Sequence, residues 1–483
     1  MRAEARLAGH NGCRPHSSFL GRILLQPRII AELKAIVGPD NLSALPEDTI
    51  CYSYDGTPTE WRPGVVVTPT TTRMVADVVK LANRERVAIV PRGAGTGLSG
   101  GSVPVGGGLV LSLTKMNRIL EIDVENLVAV AQPGVVTATF QAEVERHGLF
   151  YPPDPASQSA STLGGNVAEC AGGPRGFKYG VTKDYVLGLE VVTPTGQVVR
   201  LGGKTIKNAT GYNLVQLFVG SEGTLGVVTE ITLRLIPKPK ARRTLLAVFP
   251  RLDDASQAVT SIVLAGIVPA TIELMDNTTI RTVETYLHTG LPVDAEAVLL
   301  IEIDGEETTV VGQSRDIVST CREHGASQVQ AAATPQESDQ LWRARRAVSA
   351  SLARARPTKL GEDIVVPRKM IPAMVKRIQE ISRKYNLPIA IFGHAGDGNL
   401  HPNILFDIRA SDEVARVHQA SDELFAAAVE LGGTLSGEHG IGLLKRDYML
   451  SGLGPEAIDL MRQIKTALDP LGIMNPGKVF PEA

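Results

Sequence analysis

The residues of this 483-residue chain best suited to chemistry are two histidines at a turn and an adjacent acid–histidine pair. Residues 389–406 read IAIFGHAGDGNLHPNILF, two apolar runs around Gly396-Asp397-Gly398-Asn399, which is a hairpin signature. His394 and His401 stand at the two ends of that turn. Residues 435–442 read LSGEHGIG, with Glu438 beside His439. Two neutral imidazoles and one carboxylate form a three-ligand set that leaves coordination positions open, as a catalytic Zn²⁺, Mn²⁺ or Fe²⁺ site requires. A histidine pair on its own more often serves structure. Glu438 and the glycine-lined approach turn the reading toward a metal. Residues 341–346, LWRARR, add three arginines. Helical spacing cannot aim all three one way, and a solvated helix face accounts for Arg343 and Arg346.

The elements that must position these groups include two glycine-rich stretches. The first, residues 90–105, follows a strand-like run at 87–90 and offers many backbone N–H groups beside Thr96 and Ser99. Such nests bind phosphate oxygens. Gly93, Gly95 and Gly97 do not complete the dinucleotide fingerprint, and a Walker lysine is missing. The second stretch begins at Pro152 and carries Gly164-Gly165, Gly172-Gly173, Gly176, Gly180 and Gly188. It closes into an apolar β-branched run at 187–192, which reads as a buried strand. A backbone folded this tightly and pinned to a sheet suits a large flat cofactor with a pyrophosphate. A glycine-rich surface loop is the alternative.

Three long motifs in fixed order carry a family resemblance: PRGAGTGLSGG, the run PPDP…GGNVAECAGG…KYGVT, and VGSEGTLGVVTEITLRL. Together they resemble the FAD domain of the vanillyl-alcohol-oxidase and p-cresol-methylhydroxylase superfamily. From about residue 30 onward the chain is similar to the 2-hydroxy acid dehydrogenases of that superfamily: glycolate oxidase flavin subunits, D-lactate dehydrogenases and D-2-hydroxyglutarate dehydrogenases. The resemblance implies an α+β protein, a PCMH-type two-subdomain FAD-binding domain followed by a ferredoxin-like cap, the FAD-linked oxidase C-terminal domain. It implies FAD contacts at Pro91, Arg92, Gly93, Ala94, Gly95, Thr96, Gly97, Leu98, Ser99 and Gly100. Further contacts fall at Asp154, Ser161, Gly165, Asn166, Gly172, Tyr179, Glu222, Gly223 and Asn475. Covalent members often carry a histidine in the first glycine loop; here residues 93–96 are Gly-Ala-Gly-Thr, so the FAD is expected to be non-covalent.

In the resembling dehydrogenases His394, His401 and Glu438 match the ligands of a divalent metal (Zn, Mn or Fe), and His439 matches the general base. Arg345 matches the arginine for the substrate carboxylate, and Asn403 a substrate-contacting asparagine. Lys359 is a candidate second carboxylate partner. The chemistry uses each role. A metal on the substrate hydroxyl lowers its pKa, a histidine near neutrality takes the proton, flavin N5 takes the hydride, and a guanidinium receives the carboxylate. The expected activity is oxidation of glycolate or D-lactate to the 2-oxo acid, with D-2-hydroxyglutarate as a further candidate substrate.

Composition bounds the partners. A net charge of −2 gives no electrostatic reason for nucleic acid or an anionic membrane. No apolar run of about 18 residues is present, so no membrane span is expected. Cys13, Cys51, Cys170 and Cys321 form no C-x-x-C pair, so electrons taken from a substrate must leave through a partner rather than an iron–sulfur cluster of this chain. The resemblance names an acceptor protein or quinone, including iron–sulfur and second flavin-type subunits, and a cytoplasmic location with peripheral attachment at the inner membrane through such subunits. An oxidase using O₂ directly would share these motifs. A non-catalytic electron-transfer flavoprotein would not need His439, and an enolpyruvyl-type reductase would lack the His/His/Glu set.

The arginine-rich stretch 1–28 is expected to be a disordered extension, with a transit peptide as the alternative. Residues 29–239 are expected to form the FAD-binding domain, ending at the Pro237-Lys238-Pro239 boundary. Its strands include 198–201, 217–219 and 225–235. Residues 240–483 are expected to form the substrate and metal domain, with strands alternating with helices as in a ferredoxin-like sheet and the tail 470–483 returning to the flavin. The segment 357–367 is expected to set substrate size.

Overall fold

The computed structural model describes residues 25–482; most of the expected N-terminal extension lies outside them. The chain forms two units. One contains Gly172–Gly180 and Pro239–Gly437; the other contains the described residues up to Ala171, Val181–Lys238 and Glu438 onward.

Among the described residues the second of these units holds two larger sheets and a short pair, Leu149–Phe150 with Ile236–Pro237. Apolar runs in parallel register, Val65–Val67 and Ile89–Arg92 on either side of Leu109–Ser112, make a small sheet completed by Leu42–Ser43. The helix Thr72–Glu85 connects two of its strands, and Thr71 caps it by accepting a hydrogen bond from the N–H of Met74 at 3.2 Å. An antiparallel sheet follows, ordered Ile119–Asp123, Val128–Ala131, Val227–Arg234, Val186–Val192, Val198–Gly202. Of residues 217–219, expected as a strand, Leu217 and Phe218 instead end the short helix Leu214–Phe218, and Val219 is its extended C-cap. The reason is local: the Asn213 side chain accepts from the N–H of Gln216 and starts a helical turn that β-propensity alone does not reveal. Mixed parallel and antiparallel sheets in one flavin-type domain agree with the expected two-subdomain α+β class.

The other unit is built on one antiparallel sheet. Its order is Gln328–Ala331, Ala241–Phe249, Ala297–Gly305, Thr271–Asp276, Ile389–His394, Asn399–Phe406, Thr358–Gly361, with Ile364–Val365 also paired to Asn399–Phe406. The helices Asn277–Leu287, Pro335–Arg346 and Val348–Ala355 pack on one face through Met275, Phe392, Ala390, Leu405, Ala344 and Val348. The segment 357–367 is therefore mostly edge strand rather than loop. Residues 172–180 join this unit: the ammonium of Lys178 donates to the Asp304 carbonyl at 2.7 Å and to its carboxylate, and the Tyr179 hydroxyl donates to the same carboxylate at 2.8 Å.

The central hairpin turns where the sequence places it. Gly398 has φ +88°, and a Cβ there would stand 2.1 Å from the Val366 carbonyl oxygen. Gly398→Ala should therefore destabilise the protein by about 2–4 kcal/mol, the left-handed penalty plus the clash. Urea unfolding of the FAD-loaded protein checks this; an unchanged midpoint would contradict it.

Candidate functional site

Side chains of an antiparallel pair that face one another across the ladder share one face of the sheet. Glu273 is registered opposite His394, Phe392 opposite His401, His394 opposite Asn399, and Gly361 opposite Asn403. With Lys359 opposite Leu405, the register collects Glu273, His394, His401, Asn399, Asn403 and Lys359 on a single face. This is also the face covered by the helix that carries Arg345, because Met275, Ala390, Phe392 and Leu405 lie on it.

Glu273 is the centre of this group. It is fully buried. One carboxylate oxygen accepts from Arg345, Nε at 2.6 Å and Nη2 at 2.5 Å; the other meets His394 Nδ1 at 2.6 Å. Burial alone would push its pKa up. Arg345, His394 and behind them His401 outweigh that and hold it below the ordinary carboxylate value. The Arg345 guanidinium also lies over the Phe392 ring, 4.9 Å from its centroid. One edge of Arg345, Nε and Nη2, is thus taken by Glu273.

The imidazoles of His394 and His401 cross edge to face with centroids 5.1 Å apart, and their Nε2 atoms approach to 3.4 Å. Because His394 Nδ1 faces a carboxylate, its proton belongs there, which leaves a lone pair on Nε2. Two ring nitrogens converge in a site where both side chains are buried. Either an N–H of His401 points at His394 or a cation is held by both, and the donor set suits a divalent transition ion. On the far side of His401, Asp363 is fully buried, with its Oδ1 3.8 Å from His401 Nδ1. Asp363 accepts from the Asn399 amide at 2.6 Å, the Ser436 hydroxyl at 2.6 Å and the Gly437 N–H at 2.9 Å. Asn403 is buried and donates to the His401 carbonyl at 3.0 Å. Burial lowers the pKa of Lys359, whose ammonium donates to the Ser349 hydroxyl at 2.9 Å.

In the other unit the glycine loop 91–100 is held from two sides. A Cβ on Gly93 would fall 2.3 Å from the Thr162 hydroxyl, and one on Gly223 would press on Pro91 at 3.1 Å, so these backbones form a cradle that side chains would fill. Asn166 donates to the Thr137 hydroxyl, which also meets Ser161. Asn475 donates to the carbonyls of Gly101 and Glu222 at 2.9 and 2.7 Å, which ties the C-terminal tail to the loop. Glu222 accepts from the N–H groups of Ile441 and Gly442, both at 2.7 Å. His439 and Glu438 stand 4.0 Å apart, both mostly buried. Asp154 and Ser161 are buried, while Gly172 and Tyr179 belong to the segment built into the other unit.

Residues 238–479 match the FAD linked oxidases, C-terminal domain, and residues 63–202 match an FAD binding domain. The chain belongs to the FAD-linked oxidase family. It is 49% identical over 450 residues to "Glycolate oxidase subunit GlcD" of Bacillus subtilis, covering 93% of this chain and 96% of that protein. It is 40% identical to the Escherichia coli K12 protein of the same name, over 90% and 87% of the two chains. A "D-lactate dehydrogenase" of Archaeoglobus fulgidus is 38% identical, over 89% and 95%. The structure of p-cresol methylhydroxylase with substrate bound aligns at TM-score 0.80 and 19% identity, over 94% and 97%, which shows the shared fold. The protein is an FAD-binding oxidoreductase.

For this FAD-linked oxidase, sequence reasoning named Arg345, His394 and His401 but missed Glu273 and Asp363. A signal for Glu273 existed. In the wholly buried strand Thr271–Asp276, TIELMD, a carboxylate between Ile272 and Leu274 needs a partner. Asp363 carried none, because its burial depends on pairing of an edge segment that does not read as strand.

The FAD-binding unit also buries carboxylates together. Burial, then Glu222 and Asp55, push the pKa of Glu169 well above its ordinary 4.5, and one of its oxygens is buried without a hydrogen bond. Burial also lowers the nearby Lys478 ammonium to about 8. A carboxyl whose folded pKa is raised stabilises below its unfolded pKa and loses that stabilisation as pH rises through the folded one. Glu169→Gln should therefore match wild type near pH 4.5 and exceed its Tm by about 2–4 °C at pH 8. Thermal unfolding across that range checks it; a gap that shrinks with rising pH would contradict it.

Proposed function

We propose that this protein oxidises a small 2-hydroxy acid, glycolate or D-lactate, to the 2-oxo acid. In this reading His394, His401 and Glu438 hold a divalent metal and His439 is the general base. The observation that supports it best is the convergence of two buried imidazole nitrogens at 3.4 Å beside a buried arginine, in a chain about half identical to a glycolate oxidase subunit over nearly its whole length.

When bound, FAD supplies the hydride acceptor and the metal polarises the substrate hydroxyl. The chain's own residues do the rest. Arg345 takes the substrate carboxylate, with Lys359 as a second cation. Asn403 fixes the acid's orientation. His439 accepts the hydroxyl proton as the C2 hydride leaves, so the substrate loses one proton and one hydride. Electrons then pass to a partner, an iron–sulfur or second flavin-type subunit or a quinone. No helix among the described residues is long and apolar enough to cross a membrane; peripheral attachment at the inner membrane through such subunits is part of the same reading. The similarity to D-lactate dehydrogenases keeps D-lactate beside glycolate as substrate.

Anaerobic mixing of the FAD-loaded protein with glycolate, D-lactate, L-lactate and D-2-hydroxyglutarate tests the reading. Flavin bleaching by glycolate or D-lactate and not by L-lactate is expected; bleaching by none of the four would contradict it. His439→Ala should keep FAD and metal yet slow flavin reduction by about 10²–10⁴-fold. Loss of FAD in that variant would make His439 structural instead.

A further inference from the structure

Glu273 and Asp363 have no place in the reaction just described, yet they are among the most deeply buried charged groups of their unit. Each sits behind one of the two histidines. Glu273 contacts Nδ1 of His394 at 2.6 Å, on the opposite side of the ring from the nitrogen that approaches His401. Asp363 stands 3.8 Å from Nδ1 of His401, again opposite the converging Nε2. Both rings therefore turn Nδ1 toward a carboxylate and Nε2 toward the shared point.

We infer that Glu273 and Asp363 are positioning residues, outer carboxylates that fix the tautomer and orientation of His394 and His401 so that both Nε2 lone pairs are presented to one metal ion. The inference rests on the metal reading proposed above. A histidine that ligates through Nε2 must carry its proton on Nδ1, and an acceptor behind the ring secures that tautomer and raises ligand basicity; Glu273 does so through a hydrogen bond at 2.6 Å, and Asp363 acts on His401 as a buried charge at 3.8 Å, beyond hydrogen-bond distance. The two carboxylates have further, different tasks. Glu273 also binds Arg345 through Nε and Nη2, so the group that orients a ligand histidine also orients the proposed substrate arginine. Asp363 grips Ser436 and Gly437, the residues that precede Glu438 in sequence. A neutral amide cannot replace either carboxylate. Gln at 273 has one acceptor oxygen where both carboxylate oxygens are used. Asn at 363 would turn its NH₂ toward donors.

The test is Zn²⁺ and Mn²⁺ affinity of the FAD-loaded protein by chelator competition, for wild type, Glu273→Gln, Glu273→Asp and Asp363→Asn. FAD content and thermal unfolding are recorded in parallel. Glu273→Gln and Asp363→Asn should each weaken metal binding about 10–100-fold with FAD content unchanged, and Glu273→Gln should also raise KM for the hydroxy acid. Glu273→Asp, which keeps the charge, should recover part of both losses and serves as the readout if Glu273→Gln does not fold. Unchanged affinity in the folded Gln and Asn variants overturns the inference while leaving the metal reading intact. Wild type that binds neither ion overturns both, and is seen without any variant.

Discussion

A carboxylate closed off from water must be matched by cations and donors, and the site of this protein is arranged around one such group. Glu273 lies in a strand whose every residue is buried, and it is held ionised by Arg345 on one oxygen and His394 on the other. Removing either partner would leave a buried charge unmatched, a loss of about 3–5 kcal/mol. The requirement fixes three elements against one another: the strand Thr271–Asp276, the hairpin strand Ile389–His394, and the helix Pro335–Arg346. Arg345 and His394 stand beside each other because both answer the same anion.

The rest of the site follows from sheet register. With a side-chain period of two, a slip by one residue would turn His394, His401 and Asn403 to the opposite face and bring Gly393 and Leu400 to this one. The turn at 396–399 and the apolar contacts of Phe392, Ala390 and Leu405 under the helices prevent that slip. The same helices supply Arg345, so the packing that specifies the hairpin also delivers the guanidinium.

Much of this was legible in the sequence, for physical reasons. The hairpin announced itself by its Gly-Asp-Gly-Asn turn between apolar runs, and the histidines at its ends could be placed from that alone. The glycine loops announced a cofactor domain because no ordinary surface loop needs so much backbone freedom. What stayed hidden depended on pairing at long range. Glu273 lies 121 residues from His394, and only tertiary register reveals that they meet. Asp363 sits on an edge segment that pairs because its neighbour offers a free ladder. Residues 217–219 read as strand, yet Leu217 and Phe218 lie in the short helix Leu214–Phe218, because the Asn213 cap decides its conformation against the propensity of Leu, Val and Phe.

We propose that His394 and His401 jointly hold a metal in an enzyme that oxidises hydroxy acids. Pulsed electron paramagnetic resonance of the FAD-loaded protein with Mn²⁺ bound tests it most directly, because couplings to imidazole nitrogen report inner ligands. Two coupled imidazole nitrogens in wild type, reduced to one in His394→Ala, is the result predicted. Bound Mn²⁺ with no imidazole coupling would contradict the account and return the histidine pair to a structural role.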